Sequence, residues 1–182
     1  GALRVWEVAD GTLRYEVEVH PNARVVFSSD GRWLAAGGGK LNRRVTVWDA
    51  VTGDEVSGVD HLTDLFAAAF SADGALLAVA ASQPGVLVLG LPDGGITELE
   101  VDGARALAFA PEGDTLAIAR DEGTLELWSV GVAERLRALE GVRGAARSLA
   151  FGGGDLLAAT DDRGVSVWRT GDGELLAQVE AH

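Results

Sequence analysis

The sequence predicts an all-β fold built from repeated four-stranded antiparallel units. Tryptophan and phenylalanine both recur about every 40 residues, and short runs of alternating apolar and polar residues lie between Gly-rich turns. An alternation of period two is typical of strands, whereas an amphipathic helix repeats every 3.6 residues. Units of about 40 residues with four short strands are typical of β-propeller blades.

Tryptophan marks one strand of each unit. It stands at the same point of four alternating runs: Trp6 in Leu3–Val8, Trp48 in Val45–Ala50, Trp128 in Leu125–Val130 and Trp168 in Val165–Thr170. A fifth run, Val86–Leu91, has Leu89 in the tryptophan's place, so the marker recurs at steps of 42, 41, 39 and 40 residues. Each run is predicted to be the third strand of a unit.

Phenylalanine marks the inner strand, which ends just before a turn. The marker residues are Phe27, Phe70, Phe109 and Phe151, followed by SSDG, SADG, APEG and GGGD. Glycine beside aspartate is typical of tight turns because glycine accepts a positive φ. Strands of small residues are predicted next, at 33–37, 76–80, 116–120 and 156–160. A polar outer strand closes each unit, and Val132–Leu139 takes that place although its composition would also suit a helical turn.

These motifs resemble those of the WD-repeat (WD40-type) β-propeller family. The Trp-Asp pair is present once, at Trp48-Asp49, and the family's Ser-Pro-Asp-Gly turn is similar to SSDG, SADG and APEG. His61 lies nine residues before Phe70, as in the family's Gly-His motif. The resemblance covers nearly the whole chain and implies a non-catalytic scaffold for protein–protein interaction.

The family often ties a blade together with a buried tetrad of His, Ser or Thr, Asp and Trp. In the last unit the resemblance assigns three of these places to Thr160, Asp162 and Trp168, but Val142 stands where the histidine belongs. His61 belongs to the unit that has lost its tryptophan, so no unit is complete. We therefore expect apolar packing and strand pairing to hold the blades together, and Asp162 to be a buried group that needs another partner.

The repeats divide the chain into a half blade and four blades. The half blade covers residues 1–20, and the blades cover approximately 21–61, 62–102, 103–141 and 142–182. Closed propellers have 4–8 blades, so four and a half blades predict an incomplete ring. Gly1 lies five residues before Trp6, as the turn glycine Gly123 lies five before Trp128. We expect a fragment of a larger propeller whose remaining strands come from the parent chain, another chain or another copy.

Charge and composition exclude several function classes. The net charge of −13 argues against nucleic-acid binding, which needs clustered Lys and Arg. Cysteine is absent and the three histidines are far apart in sequence, so we expect no disulfide, metal or cofactor. No run approaches the roughly 20 apolar residues of a membrane helix. We expect a cytoplasmic protein, and the repeats resemble bacterial arrays attached to kinases and signalling ATPases.

We predict that the chain is not an enzyme and has no catalytic residues. The serines at 28, 29, 71 and 148 lack a G-x-S-x-G context, and most carboxylates lie in turns, where aspartate bonds its own backbone. Gly37–Lys40 lacks the spacing of a phosphate-binding loop. A propeller enzyme with catalytic residues in its loops is the less favoured alternative.

Two groups of residues are candidates for binding a protein or peptide partner. The first surrounds the predicted central face, where inner strands begin: Arg24, Phe66, Arg105 and Arg147, beside Asn22 and Asp64. Arginine and aromatic residues together are typical of interface anchors, although polar residues that merely line a channel would look the same. The second is a basic hairpin loop with Lys40, Arg43 and Arg44, whose alternative interpretation is a solvated loop.

Overall fold

The all-β fold class is confirmed. The computed structural model describes residues 1–38, 43–83 and 85–180, and within these ranges it contains eighteen strands and no helix. They form one two-stranded and four four-stranded antiparallel sheets. The wholly strand-based architecture follows from the alternating apolar pattern and the closely spaced turns of the sequence.

Two strands form the half blade, and each later group of four strands forms one blade. The half blade is β1 (Ala2–Trp6) and β2 (Leu13–Glu18). Blade 1 comprises β3 (Arg24–Phe27), β4 (Trp33–Gly37), β5 (Val45–Asp49) and β6 (Glu55–Val59). Blade 2 comprises β7 (Thr63–Phe70), β8 (Leu76–Gln83), β9 (Val86–Gly90) and β10 (Ile96–Leu99). Blade 3 comprises β11 (Ala104–Phe109), β12 (Thr115–Arg120), β13 (Leu125–Ser129) and β14 (Glu134–Leu139). Blade 4 comprises β15 (Ser148–Gly152), β16 (Leu156–Thr160), β17 (Gly164–Arg169) and β18 (Leu175–Glu180).

Every blade is a meander in which sequential strands pair antiparallel. The inner strands of neighbouring blades lie against each other, β3 on β7, β7 on β11 and β11 on β15. Because each inner strand is the first of its blade, the residues at its start share one end of the molecule. This topology places the predicted central-face residues side by side.

The core lies between successive sheets. In each blade the marker phenylalanine faces a leucine of the second strand that is 0% exposed: Leu34, Leu77, Leu116 and Leu157. Separate apolar clusters join the half blade to blade 1, blade 1 to blade 2, blade 2 to blade 3 and blade 3 to blade 4. The neighbouring blade therefore supplies the apolar surface that each blade needs.

Two of the predicted turns are closed by a buried serine. Ser28 Oγ donates to Asp30 Oδ1 at 2.6 Å and accepts the N–H of Trp33 at 2.9 Å. Ser71 makes the same two bonds in blade 2, at 2.7 Å to Asp73 and 2.9 Å from Leu76 N–H. The glycines of both turns have φ near +70°, which explains glycine at that position.

The marker tryptophans differ in burial. Trp48 and Trp168 are buried and Trp128 is half-buried, whereas Trp6 of the half blade is 54% exposed. In blade 3 Trp128 Nε1 donates to the buried carboxylate of Glu126 at 2.8 Å. His61 is exposed in the turn before β7, with a φ of 64°.

The expectation of a buried Asp162 is wrong. Trp168 Nε1 donates to the carbonyl oxygen of Glu140 at 2.7 Å, and both Thr160 and Asp162 are exposed. Val142 has no polar side chain with which to complete a tetrad, and the indole N–H is satisfied by a backbone acceptor. The preceding Asp161 accepts the turn N–H groups of Arg163 and Gly164. Asp162 is thus left at the surface, at the end where the inner strands begin.

Candidate functional site

Four successive blades each contribute one side chain to a single cavity. Arg24, Phe66, Arg105 and Arg147, here called the collar, line a cavity of about 410 Å³. Its other lining residues are Asp121, Ala145, Ala146 and Asp162. The structure therefore brings together four of the six central-face residues that the sequence singled out, whereas Asn22 and Asp64 are not among the residues that line this cavity.

Irregular pairing at the start of the inner strands places these side chains. The register between β7 and β8 shifts around Phe66, and the register between β11 and β12 shifts around Arg105. Such bulges redirect a side chain that regular alternation would have sent to a face of the sheet. Arg147 directly precedes β15 and donates its N–H to the carbonyl of Thr160 at 2.7 Å, and Arg24 is the first residue of β3.

The collar also borders a second cavity of about 290 Å³. That cavity is lined by the same four residues and by those that follow them on the inner strands: Val25, Val26, Ala67, Ala68, Ala106, Leu107, Ser148 and Leu149. The collar therefore lies between the mouth and a second space further along the inner strands.

One arginine of the collar is held in place by its neighbours. The guanidinium carbon of Arg105 lies 3.9 Å from the centroid of the Phe66 ring, and its Nη2 lies 3.2 Å from Asp121 Oδ2. Stacking on the ring and pairing with a carboxylate both restrict the rotamers of the arginine. The side chains of Arg24 and Arg147 have no ion-pair partner within the described ranges.

Asp121 and Asp162 are site residues that the sequence did not predict for this face. The repeat pattern gave Asp162 only a place in an incomplete tetrad and gave Asp121 no role. Both lie in the loop after the second strand of their blade. A comparison of this loop between the four units could have identified both aspartates.

The basic loop is only partly available. Arg44 donates to Glu55 and, at 2.8 Å, to Asp60. Burial lowers the pKa of Arg44, but the two carboxylates outweigh that effect and raise it. Arg43 is exposed, and its carbonyl accepts the N–H of Leu62. Lys40 lies outside the described residues.

The described part of the chain contains neither a metal-binding cluster nor a membrane-spanning helix. Residues 1–38, 43–83 and 85–180 hold no group of three or more His, Cys, Asp or Glu side chains that could bind a metal ion. The same ranges contain no helix long and apolar enough to cross a membrane.

Comparison with known proteins gave one family match and two relatives. The family model described as WD domain, G-beta repeat, matches residues 10–49, which end on Trp48-Asp49. Telomerase protein component 1 of Rattus norvegicus is 28% identical over 176 residues, and that of Mus musculus is 29% identical over 187 residues. Each alignment covers 92% of this chain but 7% of the relative, so the chain spans a small part of the length of these proteins.

Proposed function

We propose that the chain is a WD-repeat protein-interaction scaffold that binds a partner at the collar, because the WD-domain family model matches residues 10–49 and the sheets are arranged as successive blades. The observation that carries the proposal is the convergence of one side chain from each of four blades on one cavity. Arginine and aromatic side chains in a recess are the residue types that dominate binding energy at protein interfaces. We further propose a non-catalytic role, a cytoplasmic location and no nucleic-acid partner.

We propose separately that the scaffold is part of a larger assembly. The matched relatives are rodent proteins named as a component of telomerase, which supports a scaffold that works within a multi-subunit complex. The attachment to a bacterial kinase or signalling ATPase that the repeats also suggested stays a prediction. Membership of a fold family alone does not decide between these settings.

A pull-down with alanine variants tests the scaffold. The variant combines Phe66→Ala, Arg105→Ala and Arg147→Ala, and the control combines Arg4→Ala with Arg163→Ala at exposed positions outside the cavity. Proteins captured by the wild-type chain should be lost with the collar variant and retained by the control. If the collar variant captures the same proteins in the same amounts, the collar is not the binding face.

A second candidate function is assembly with further blades, from the same polypeptide or another chain. In blade 3 the opposed pair Leu125 and Leu139 is 0% and 4% exposed because blade 4 covers it. The opposed pair at the same place in blade 4, Val165 and Val179, is 38% and 66% exposed. Blade 4 therefore presents an apolar surface of the kind that packs against a neighbouring blade elsewhere in the molecule.

A further inference from the structure

The collar contains two arginines whose charge no described residue neutralises directly. Arg24 and Arg147 line the cavity without an ion pair or a side-chain hydrogen bond in the described part of the chain. Other arginines of the molecule, such as Arg44 and Arg169, are each paired with two carboxylates. Two unpaired guanidiniums at one cavity stand out on a chain of net charge −13.

The other two collar residues, Phe66 and Arg105, form a preorganised side of the same cavity. The stacked and ion-paired Arg105 has already lost much of its rotamer freedom, so a ligand would not bear that entropic cost. Phe66 closes the wall with an apolar ring. The site thus combines two free donor groups with a fixed cationic and aromatic side.

We propose that the collar binds the carboxylate side chain of a partner peptide, with Arg24 and Arg147 as the donors. A guanidinium presents parallel N–H groups that match the two oxygens of a carboxylate, and such charge-assisted bonds are stronger than neutral ones. Phe66 and Arg105 then contact the rest of the acidic residue. This assignment rests on the proposed scaffold function and specifies the chemistry of its ligand.

The charge balance favours a peptide over a polyanion. The cavity is lined by three guanidiniums and by the carboxylates of Asp121 and Asp162, so its local excess of positive charge is small. The net charge of −13 repels a long polyanion before it comes close enough to contact the collar arginines. The ligand that fits both conditions is a single Asp or Glu side chain within a segment whose flanking residues are neutral or basic.

Peptide selection followed by affinity measurement tests the assignment. An unbiased phage-displayed peptide library is selected on the wild-type chain, and the leading peptide is titrated by fluorescence anisotropy against wild type, Arg24→Gln/Arg147→Gln and the control Arg4→Gln/Arg163→Gln. The selected peptides should share one Asp or Glu. Their affinity should fall at least tenfold in the collar variant and stay within twofold of wild type in the control.

A change in the peptide completes the test. Replacement of the shared acid by its amide should weaken binding to the wild-type chain by the same factor and should have no further effect on the collar variant, because the two changes remove one interaction. Unchanged melting temperatures of both protein variants show that the fold is retained.

Three results would overturn the assignment. The selected peptides could lack a shared acid and lose binding in Phe66→Ala but not in Arg24→Gln/Arg147→Gln. That result would support the scaffold function but contradict a carboxylate as the ligand. A labelled single-stranded oligonucleotide that binds through the same arginines would replace the peptide by a nucleic acid. Failure to select any peptide would remove the peptide ligand, whereas the pull-down decides the scaffold function separately.

Discussion

In the turns after two of the inner strands, single aspartates are stabilised in the ionised form by hydrogen bonds. The hydrogen bond from Ser28, together with that from the N–H of Arg32, lowers the pKa of Asp30. The bonds from Ser71 and from the N–H of Ala75 lower the pKa of Asp73 in the same way. The ionised carboxylates are therefore favoured more in the folded chain than in the unfolded one.

The direction of these pKa shifts fixes the pH range in which stability is lost. The contribution is fully present above the unfolded pKa of about 3.9 and disappears as the pH falls through the lower folded pKa. Asparagine keeps the acceptor oxygen but does not titrate, so Asp30→Asn/Asp73→Asn should lose less melting temperature than wild type between pH 6 and pH 3. The control Asp93→Asn, in an exposed turn, should follow wild type. Parallel acid profiles for all three proteins would contradict this prediction.

Some residue positions could be predicted from the sequence, and others could not. Phe66, Arg105 and Arg147 could be placed at one face because each lies four residues before a marker phenylalanine, a spacing that the repeat preserves. The bond of Trp168 to Glu140 could not be predicted, because a backbone carbonyl carries no residue-specific signal. Asp162 was expected to be buried because the resemblance gave it a place in a buried tetrad, and the structure shows it exposed.

Strand pairing within a blade leaves no room for a side chain at Gly37. A Cβ atom there would lie 2.6 Å from Val45 Cγ2 and 2.8 Å from the carbonyl oxygen of Arg44. Gly37→Ala should therefore push β4 away from β5 and lower the free energy of unfolding by about 1–3 kcal/mol, the usual range for overpacking. The midpoint of urea denaturation, followed by tryptophan fluorescence, measures this.

Gly152 provides the matched control for that strand glycine. It also lies in a strand, but a Cβ atom there would meet only Leu156 Cβ, at 3.7 Å. Gly152→Ala should stay within about 0.5 kcal/mol of wild type, as surface substitutions usually do. Equal denaturation midpoints for the two variants would show that β4 and β5 can separate without cost.

Elements were easier to predict than their boundaries. The second strand of blade 4 is found at Leu156–Thr160, as the turn and the small-residue run predicted. The corresponding strand of blade 2 was predicted to end at residue 80 but continues to Gln83. Its extension follows from pairing with the start of β7, which lies several residues before the marker Phe70. Local turn chemistry is thus encoded in the sequence nearby, whereas strand length depends on the partner strand.

For the molecule as a whole, apolar contacts between successive blades add to the strand pairing within each blade. The apolar clusters join successive sheets, and the structure shows Val165 and Val179 of blade 4 at a surface that is covered in blade 3. A repeat array that exposes an apolar surface of this kind tends to associate through it. The chain is therefore expected to self-associate as its concentration rises.

Charged substitutions on that surface test whether blade 4 is the associating end. Val165→Lys/Val179→Lys should shift the sedimentation-velocity distribution toward the monomer at concentrations where the wild-type chain associates, because burying two ammonium groups without partners is strongly unfavourable. Val132→Lys is the control, since Val132 is 64% exposed but lies in the turn between β13 and β14. It should associate like wild type. A wild-type chain that stays monomeric at every concentration would contradict assembly through blade 4.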